Sequence, residues 1–254
     1  MRQMYANRKE QFPLPNFKKP DAKVIVSLTS YKHRIKDIIP TLESLNNQTY
    51  KPDKIVLYIA EEDRGLVYPE LENYCEVHYC EDILSHKKFN GFWEYPDCYV
   101  ATADDDLIYN EDWLETLLRA SQLAPCCVAA NNTFILRDFS FQGAATRRYN
   151  STSLQGRMNM YVMSGAGVLL PPGVANKISE LKDAWKYSPH CDEKPLSVIL
   201  RAKHIPVVAT SNGSDTHHRE AYRNNISLWD MYNCKHQAER WEQSKQFLRA
   251  HNLL

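Results

Sequence analysis

Tyr99-Val-Ala-Thr-Ala-Asp-Asp-Asp-Leu-Ile-Tyr109 is the stretch whose reading decides the fold. Val100, Thr102 and their neighbours form an apolar, β-prone run that reads as a buried strand. Asp104, Asp105 and Asp106 then emerge at its carboxyl end, where open α/β sheets bind their ligands. Three adjacent like charges raise one another's pKa and destabilise a folded chain unless a cation neutralises them. On an extended backbone alternate side chains share a face, so Asp104 and Asp106 are expected to grip one ion together. All-oxygen ligands favour a hard divalent ion, Mg²⁺ or Mn²⁺. A solvated acidic turn is the plainer reading of the same residues, but so clean a strand rarely precedes one.

Outward from this strand the chain alternates between strand and helix patterns. Residues 23–28 and 54–60 read as buried strands, and between them Ile35, Ile38, Ile39, Leu42 and Leu45 recur at helical spacing. Strand, helix, strand at this spacing is a unit of a parallel sheet. A weak strand is expected at 75–79 and a helix at 110–118, with Asn110 as its cap. Further strands are expected at 126–130, at 161–170 (interrupted by Gly165 and Gly167) and at 205–209, the last of the set. The predicted architecture is a single Rossmann-like α/β domain over 23–226 with a mostly parallel central sheet. A polar, basic N-terminal arm (1–22) precedes it and a C-terminal helix (227–254) follows. The stripe Leu228, Met231, Ala238, Trp241 and Leu248 on that helix reads as core packing, with a membrane-surface face as the alternative.

Composition narrows the function. Lys and Arg number 31 and Asp and Glu 31, so there is no electrostatic case for nucleic acid as partner. No segment approaches the roughly 20 apolar residues that span a bilayer, and residues 1–10 lack the apolar stretch of a secretion signal. A cytoplasmic protein is expected, with any membrane contact peripheral and from the inner face. Cys75, Cys80, Cys98, Cys126, Cys127, Cys191 and Cys234 form no CxxC pair and read as reduced structural thiols.

Four segments together carry a resemblance. They are Val26-Ser-Leu-Thr-Ser-Tyr-Lys-His-Arg-Ile35, Leu42-Glu-Ser-Leu-Asn-Asn-Gln-Thr-Tyr-Lys-Pro-Asp-Lys-Ile55, Tyr95-Pro-Asp-Cys followed by the aspartate strand to Tyr109, and Ser164-Gly-Ala-Gly-Val-Leu-Leu-Pro-Pro172. In order and spacing they resemble the nucleotide-sugar glycosyltransferases of the A-type fold, near the family-two-like group of bacterial polysaccharide and lipopolysaccharide enzymes. The resemblance implies a nucleotide-sugar donor, UDP being the commonest nucleotide, and a glycan or glycolipid acceptor, with inversion. It places Thr29, Tyr31, Arg34 and Glu61 around the nucleoside and Lys87 or Lys88 near the diphosphate. Asp104 and Asp105 would contact the donor, while Asp104 and Asp106 would hold Mn²⁺ or Mg²⁺, with His217 or His218 as a late third ligand. Gly165 and Gly167 would let the backbone approach the bound sugar closely.

Sugar transfer also needs a base for the acceptor hydroxyl. The acidic pair of the resembling family is matched by His190-Cys-Asp-Glu-Lys-Pro195, which makes Asp192 the first candidate and Glu193 the second. Lys194-Pro195 stands where relatives carry a tryptophan. A cap for the helix expected at 196–202 is the competing role for Asp192. A nucleotidyltransferase would cradle its triphosphate with a glycine-rich loop after the first strand, and residues 28–34 contain no glycine. A glycoside hydrolase would use two carboxylates and no metal cluster. A non-catalytic nucleotide-sugar-binding domain is the other alternative, favoured by the altered acidic pair.

Overall fold

The computed structural model describes residues 17–136, 147–148, 156–210, 216–218 and 236–254. Its strands are β1 (Val24–Thr29), β2 (Lys54–Ala60), β3 (Glu76–Cys80), β4 (Tyr99–Ala103), β5 (Leu107–Tyr109), β6 (Val128–Ala130), β7 (Thr133–Ile135), β8 (Arg147–Arg148), β9 (Met160–Val162), β10 (Val168–Leu170), β11 (Val207–Ala209) and β12 (Thr216–His218). The helices are α1 (Lys32–Ile35), α2 (Ile39–Asn46), α3 (Asn90–Glu94), α4 (Trp113–Leu123), α5 (Val174–Lys177), α6 (Glu193–Ala202) and α7 (Gln237–Ala250). Seven strands form one sheet in the order β11-β6-β10-β4-β1-β2-β3. All neighbours in it are parallel except β10, which runs antiparallel to β4 and β6.

The near-continuous apolar runs of β1 and β2 follow from burial on both faces. Val24, Val26 and Leu28 point into one core layer with Ile55, Leu57 and Ile59, covered by α2 and α4. Ile25, Val56 and Tyr58 point into the opposite layer, which α3, α5, α6 and α7 close. From β1 the chain builds outward through β2 and β3, then returns to lay β4 on the other side of β1. The strand order therefore reverses between β1 and β4, and their carboxyl ends, Thr29 and Ala103, flank the crevice that such a reversal opens.

Several elements depart from expectation. The helix read from Ile35 to Leu45 is two helices. Pro40 lacks an N–H and its ring would collide with the carbonyl four residues back, so it sits in the first turn of a new helix. The strand read across 161–170 is two strands in different sheets. β9 joins β7 and β8, while β10 enters the main sheet, with Gly167 at φ +118° in the turn between them. β11 is not the last strand, because β12 pairs antiparallel with β5. The helix beyond Asn110 starts at Trp113, with Asp112 rather than Asn110 at its cap position.

Within α7, Trp241, Phe247 and Leu248 are buried and Ala238 is exposed. Trp241 and Leu248 of the C-terminal stripe thus pack into the core layer beside α6, whereas Ala238 does not and Leu228 and Met231 lie outside the described residues. At the other end Phe17 stacks edge-on against Tyr50, with ring centroids 5.4 Å apart, so the tail of the arm packs on the domain. No described helix is long and apolar enough to cross a membrane. Cys75, Cys80, Cys98, Cys126, Cys127 and Cys191 are free thiols, and Cys234 lies outside the described residues.

Candidate active site

The crevice is built from the ends of β1 and β4. β4 stops at Ala103, and Asp105 and Asp106 lie in a turn rather than on extended backbone. The aspartates consequently diverge. Asp105 turns inward, where Ser30 Oγ donates to its Oδ2 at 2.6 Å and Arg34 Nη1 to its Oδ1 at 2.8 Å. The same guanidinium reaches Asp106 Oδ2 at 3.1 Å. Burial opposes the Arg34 charge, but Asp105 and Asp106 outweigh it and hold its pKa above the usual range. Asp104 faces the other way, with 38 % of its side chain exposed against 7 % for Asp105 and 18 % for Asp106.

Asp104 meets Lys88. The Lys88 ammonium, buried at the end of the 3₁₀ turn Leu84–Phe89, bonds Asp104 Oδ1 on one side and Asp192 Oδ2, at 2.9 Å, on the other. Ser164 Oγ donates to the same Asp192 oxygen at 2.7 Å, and Thr102 Oγ1 fixes Ser164 by donating to its carbonyl at 2.7 Å. Burial works against the lysine's charge, yet the two carboxylates prevail and raise its pKa. Burial likewise disfavours the Asp192 anion, but the Lys88 charge, with the hydrogen bonds from Lys88 and Ser164, outweighs it and keeps the carboxyl below its ordinary value.

Asp192 occupies the N-cap position of α6 without making a side-chain cap bond. Its carboxylate is spent on Lys88 and Ser164 instead. Glu193 is the first residue of α6 and accepts from Tyr161 OH at 2.6 Å. Burial and then the Asp192 charge push it up to about 7. Behind this pair the buried Lys194 ammonium lies 4.9 Å from the Trp241 ring centroid and 5.8 Å from that of Tyr161, a cation–π cradle between α6, β9 and α7.

The two glycines admit protein neighbours. A Cβ on Gly165 would sit 1.8 Å from Asp104 Oδ2. Gly167, at its positive φ, lies under the indole of Trp113, 2.6 Å from Nε1 to an added Cβ. Tyr109 OH ties this turn to the cluster, donating to the Gly165 carbonyl and accepting from Asp104 N–H, each at 2.7 Å.

The remaining candidates disperse. Thr29 Oγ1 donates to the Tyr58 carbonyl at 2.7 Å, joining β1 to β2. Tyr31 is 40 % exposed at the mouth of the crevice, with the Arg34 guanidinium 5.5 Å from its ring centroid. Glu61 takes both bonds of Arg64, at 2.7 and 2.9 Å, on the exposed surface. Lys87 is buried against Asp82, 2.5 Å away, and does not join the cluster. His217 and His218 stand in β12, opposite Ile108 and Leu107, which brings their backbone beside the residue that follows Asp106.

Among the described residues, no three His, Cys, Asp or Glu side chains form a group that could hold a metal ion. Ser30, Ser164, Tyr161 and Asp82 were not foreseen. Ser164 directly precedes the Gly-Ala-Gly turn and could have been read from that place, but nothing in the sequence marks Tyr161 as a partner of Glu193.

A mostly parallel sheet with carboxylates at its switch point defines a Rossmann-like α/β fold. No family model matches the chain, and no curated protein matches it. Among solved structures 268 chains match. TarS of S. aureus, a family-two glycosyltransferase, is one of them, with a TM-score of 0.54 at 13 % identity. The alignment covers 90 % of this chain and 43 % of TarS, so the chain spans less than half of that protein. The likeness shows the fold alone, a Rossmann-like α/β domain with a mostly parallel central sheet.

Proposed function

We propose that this chain is a metal-dependent glycosyltransferase. It moves a sugar from a nucleoside-diphosphate donor, a UDP-sugar foremost, to a hydroxyl of a glycan or glycolipid acceptor with inversion. The observation that carries the reading is the Lys88 bridge, which joins the first carboxylate of the aspartate cluster to Asp192 across the crevice. A cap role would have turned Asp192 back on its own helix. Mn²⁺ or Mg²⁺ would take its first oxygen from Asp104, the most exposed carboxylate of the cluster, and Asp106 would have to swing away from Arg34 to join it. Such an ion supplies Lewis-acid stabilisation to a departing diphosphate.

The chain's own residues do the rest. Ser30 and Arg34 orient Asp105 and Asp106, and Tyr109 with Gly165 fixes Asp104. Asp192, held anionic by Lys88, accepts the proton of the attacking hydroxyl. Glu193 is the second candidate for the base. A non-catalytic nucleotide-sugar-binding domain is the alternative, favoured by Lys194 standing after the acidic pair.

The test is thermal stabilisation by UDP-, GDP-, CMP- and dTDP-sugars with and without Mn²⁺, followed by transfer assays on Asp192→Asn and Glu193→Gln. Bound donor raises stability with its concentration over its dissociation constant. Asp192→Asn should keep donor binding and lose about 10²–10⁴-fold in rate. Donor binding without turnover by the unaltered chain would establish the alternative. If Glu193→Gln alone is inactive, the base is reassigned. If neither substitution slows transfer, the acidic pair is not the base.

A further inference from the structure

We propose that a cavity beside the candidate active site is a saccharide subsite, seating one pyranose ring of the acceptor. This rests on the glycosyl-transfer reading above. The cavity, about 250 Å³, lies between the end of β3, the 3₁₀ turn Leu84–Phe89, α3 and the 3₁₀ segment Ser179–Lys186. Pockets for drug-sized ligands run to roughly 300–1,000 Å³, so this one suits a single ring and little more.

Its lining has the two chemistries a sugar ring needs. Trp93 and Trp185 supply indole surfaces against which the C–H face of a pyranose packs, favoured by the negative face of the aromatic ring. Trp93 is steadied by an edge-on contact with Phe92, centroids 6.0 Å apart. Asn90 offers both a donor and acceptors, Glu81 acceptors and Lys182 donors, the Lys182 ammonium lying 5.0 Å from the Trp93 centroid. Ring hydroxyls, which donate and accept, match such a mixed set better than a phosphate would.

His86 adds an independent observation. It is 2 % exposed, and its Nε2 lies 2.9 Å from the Ser188 carbonyl, which can only accept, so Nε2 carries the proton. Burial favours the neutral ring. Nδ1 is then a buried acceptor, and it has no hydrogen-bond partner. A buried group left so is costly, and His86 is among the residues that line the cavity. The same imidazole, through Ser188, steadies the segment that leads to Asp192. A ring seated there lies one imidazole away from the candidate base.

The experiment titrates the full chain, without donor or metal, with methyl glucosides, methyl galactosides, methyl N-acetylglucosaminides and uridine. The indole N–H resonances of its five tryptophans are followed by NMR. At least one pyranoside should move the Trp93 and Trp185 signals with a dissociation constant on the order of 1–10 mM. Trp185→Ala and Asn90→Ala should each weaken that binding at least about five-fold, a loss expected for one stacking or polar contact of about 1 kcal/mol. Both variants should keep the melting temperature and the stabilisation by UDP-sugar with Mn²⁺. Silence of both indoles towards every pyranoside overturns the proposal, as does binding that survives both substitutions. A response to uridine alone also overturns it, by making the cavity a nucleobase pocket. Failure of the glycosyl-transfer reading looks different: pyranosides bind while nucleotide sugars leave the melting temperature unmoved.

Discussion

Replacing Lys88 by methionine should cost this protein far more than the loss of one surface charge. The ammonium is enclosed, and it compensates Asp104 and Asp192 while bonding Ser164 at 3.3 Å. Methionine fills most of the volume, so the loss is electrostatic rather than a cavity. Asp104 is partly open to water and can rehydrate, whereas the Asp192 side chain is 10 % exposed and cannot. Removing one partner of a buried ion pair typically costs about 3–5 kcal/mol, which for a domain of this size is roughly a 10 °C fall in melting temperature.

Asp192→Asn in the same chain removes the orphaned charge and should recover most of that loss, giving a large coupling energy in the double-mutant cycle. The pH dependence has a definite sign. In the native protein the Asp192 pKa is lowered, so its contribution is present above the unfolded carboxylate range and fades as pH falls through the folded value. In Lys88→Met the same carboxyl is unpaired and its pKa rises, so the penalty is full at neutral pH and shrinks in acid. The gap between the two proteins in urea unfolding should therefore close as pH falls. A cost below about 1 kcal/mol, with no rescue by Asp192→Asn, would refute the buried bridge.

Gly165→Ala should displace the Asp104 carboxylate, because the new Cβ has no room beside it; loss of Mn²⁺-dependent nucleotide stabilisation in a thermal melt is the readout. Asp106→Asn, or excess chelator, should abolish transfer while circular dichroism stays native, and full activity in chelator would remove the metal from the mechanism. With Asp192 as base, the transfer rate should hold as pH falls from about 8 towards 5, since its pKa is depressed. An acid limb centred at about 7 would instead identify Glu193. Tyr161→Phe deletes the hydroxyl that favours the Glu193 anion, so the Glu193 carboxyl should titrate still higher, as followed by ¹³C NMR.

The sheet and its loaded end were legible in the sequence because their causes are local. A strand buried on both faces must be an apolar run, and β1, β2 and β4 are such runs. Carboxylates at the end of one such run mark its carboxyl edge wherever the strand lies in the sheet. Turn geometry was not legible, and so the expectation that Asp104 and Asp106 share a face came from an extended backbone that ends at Ala103. Gly165 and Gly167 advertised a special backbone without saying that Asp104 and Trp113 would fill the space.

Tertiary structure alone decided which charges meet. Lys87 and Lys88 are neighbours of the same type, and only packing sends one to Asp82 and the other between Asp104 and Asp192. The choice between cap and site for Asp192 was undecidable from its helix-start position, because a carboxylate there can serve either role. The groups its carboxylate bonds, Lys88 and Ser164, come from segments 104 and 28 residues away in the chain. Hydrophobic periodicity is a property of neighbouring residues and survives in the sequence. The partners of a buried charge are set by how distant segments pack, and they exist only once the chain has folded.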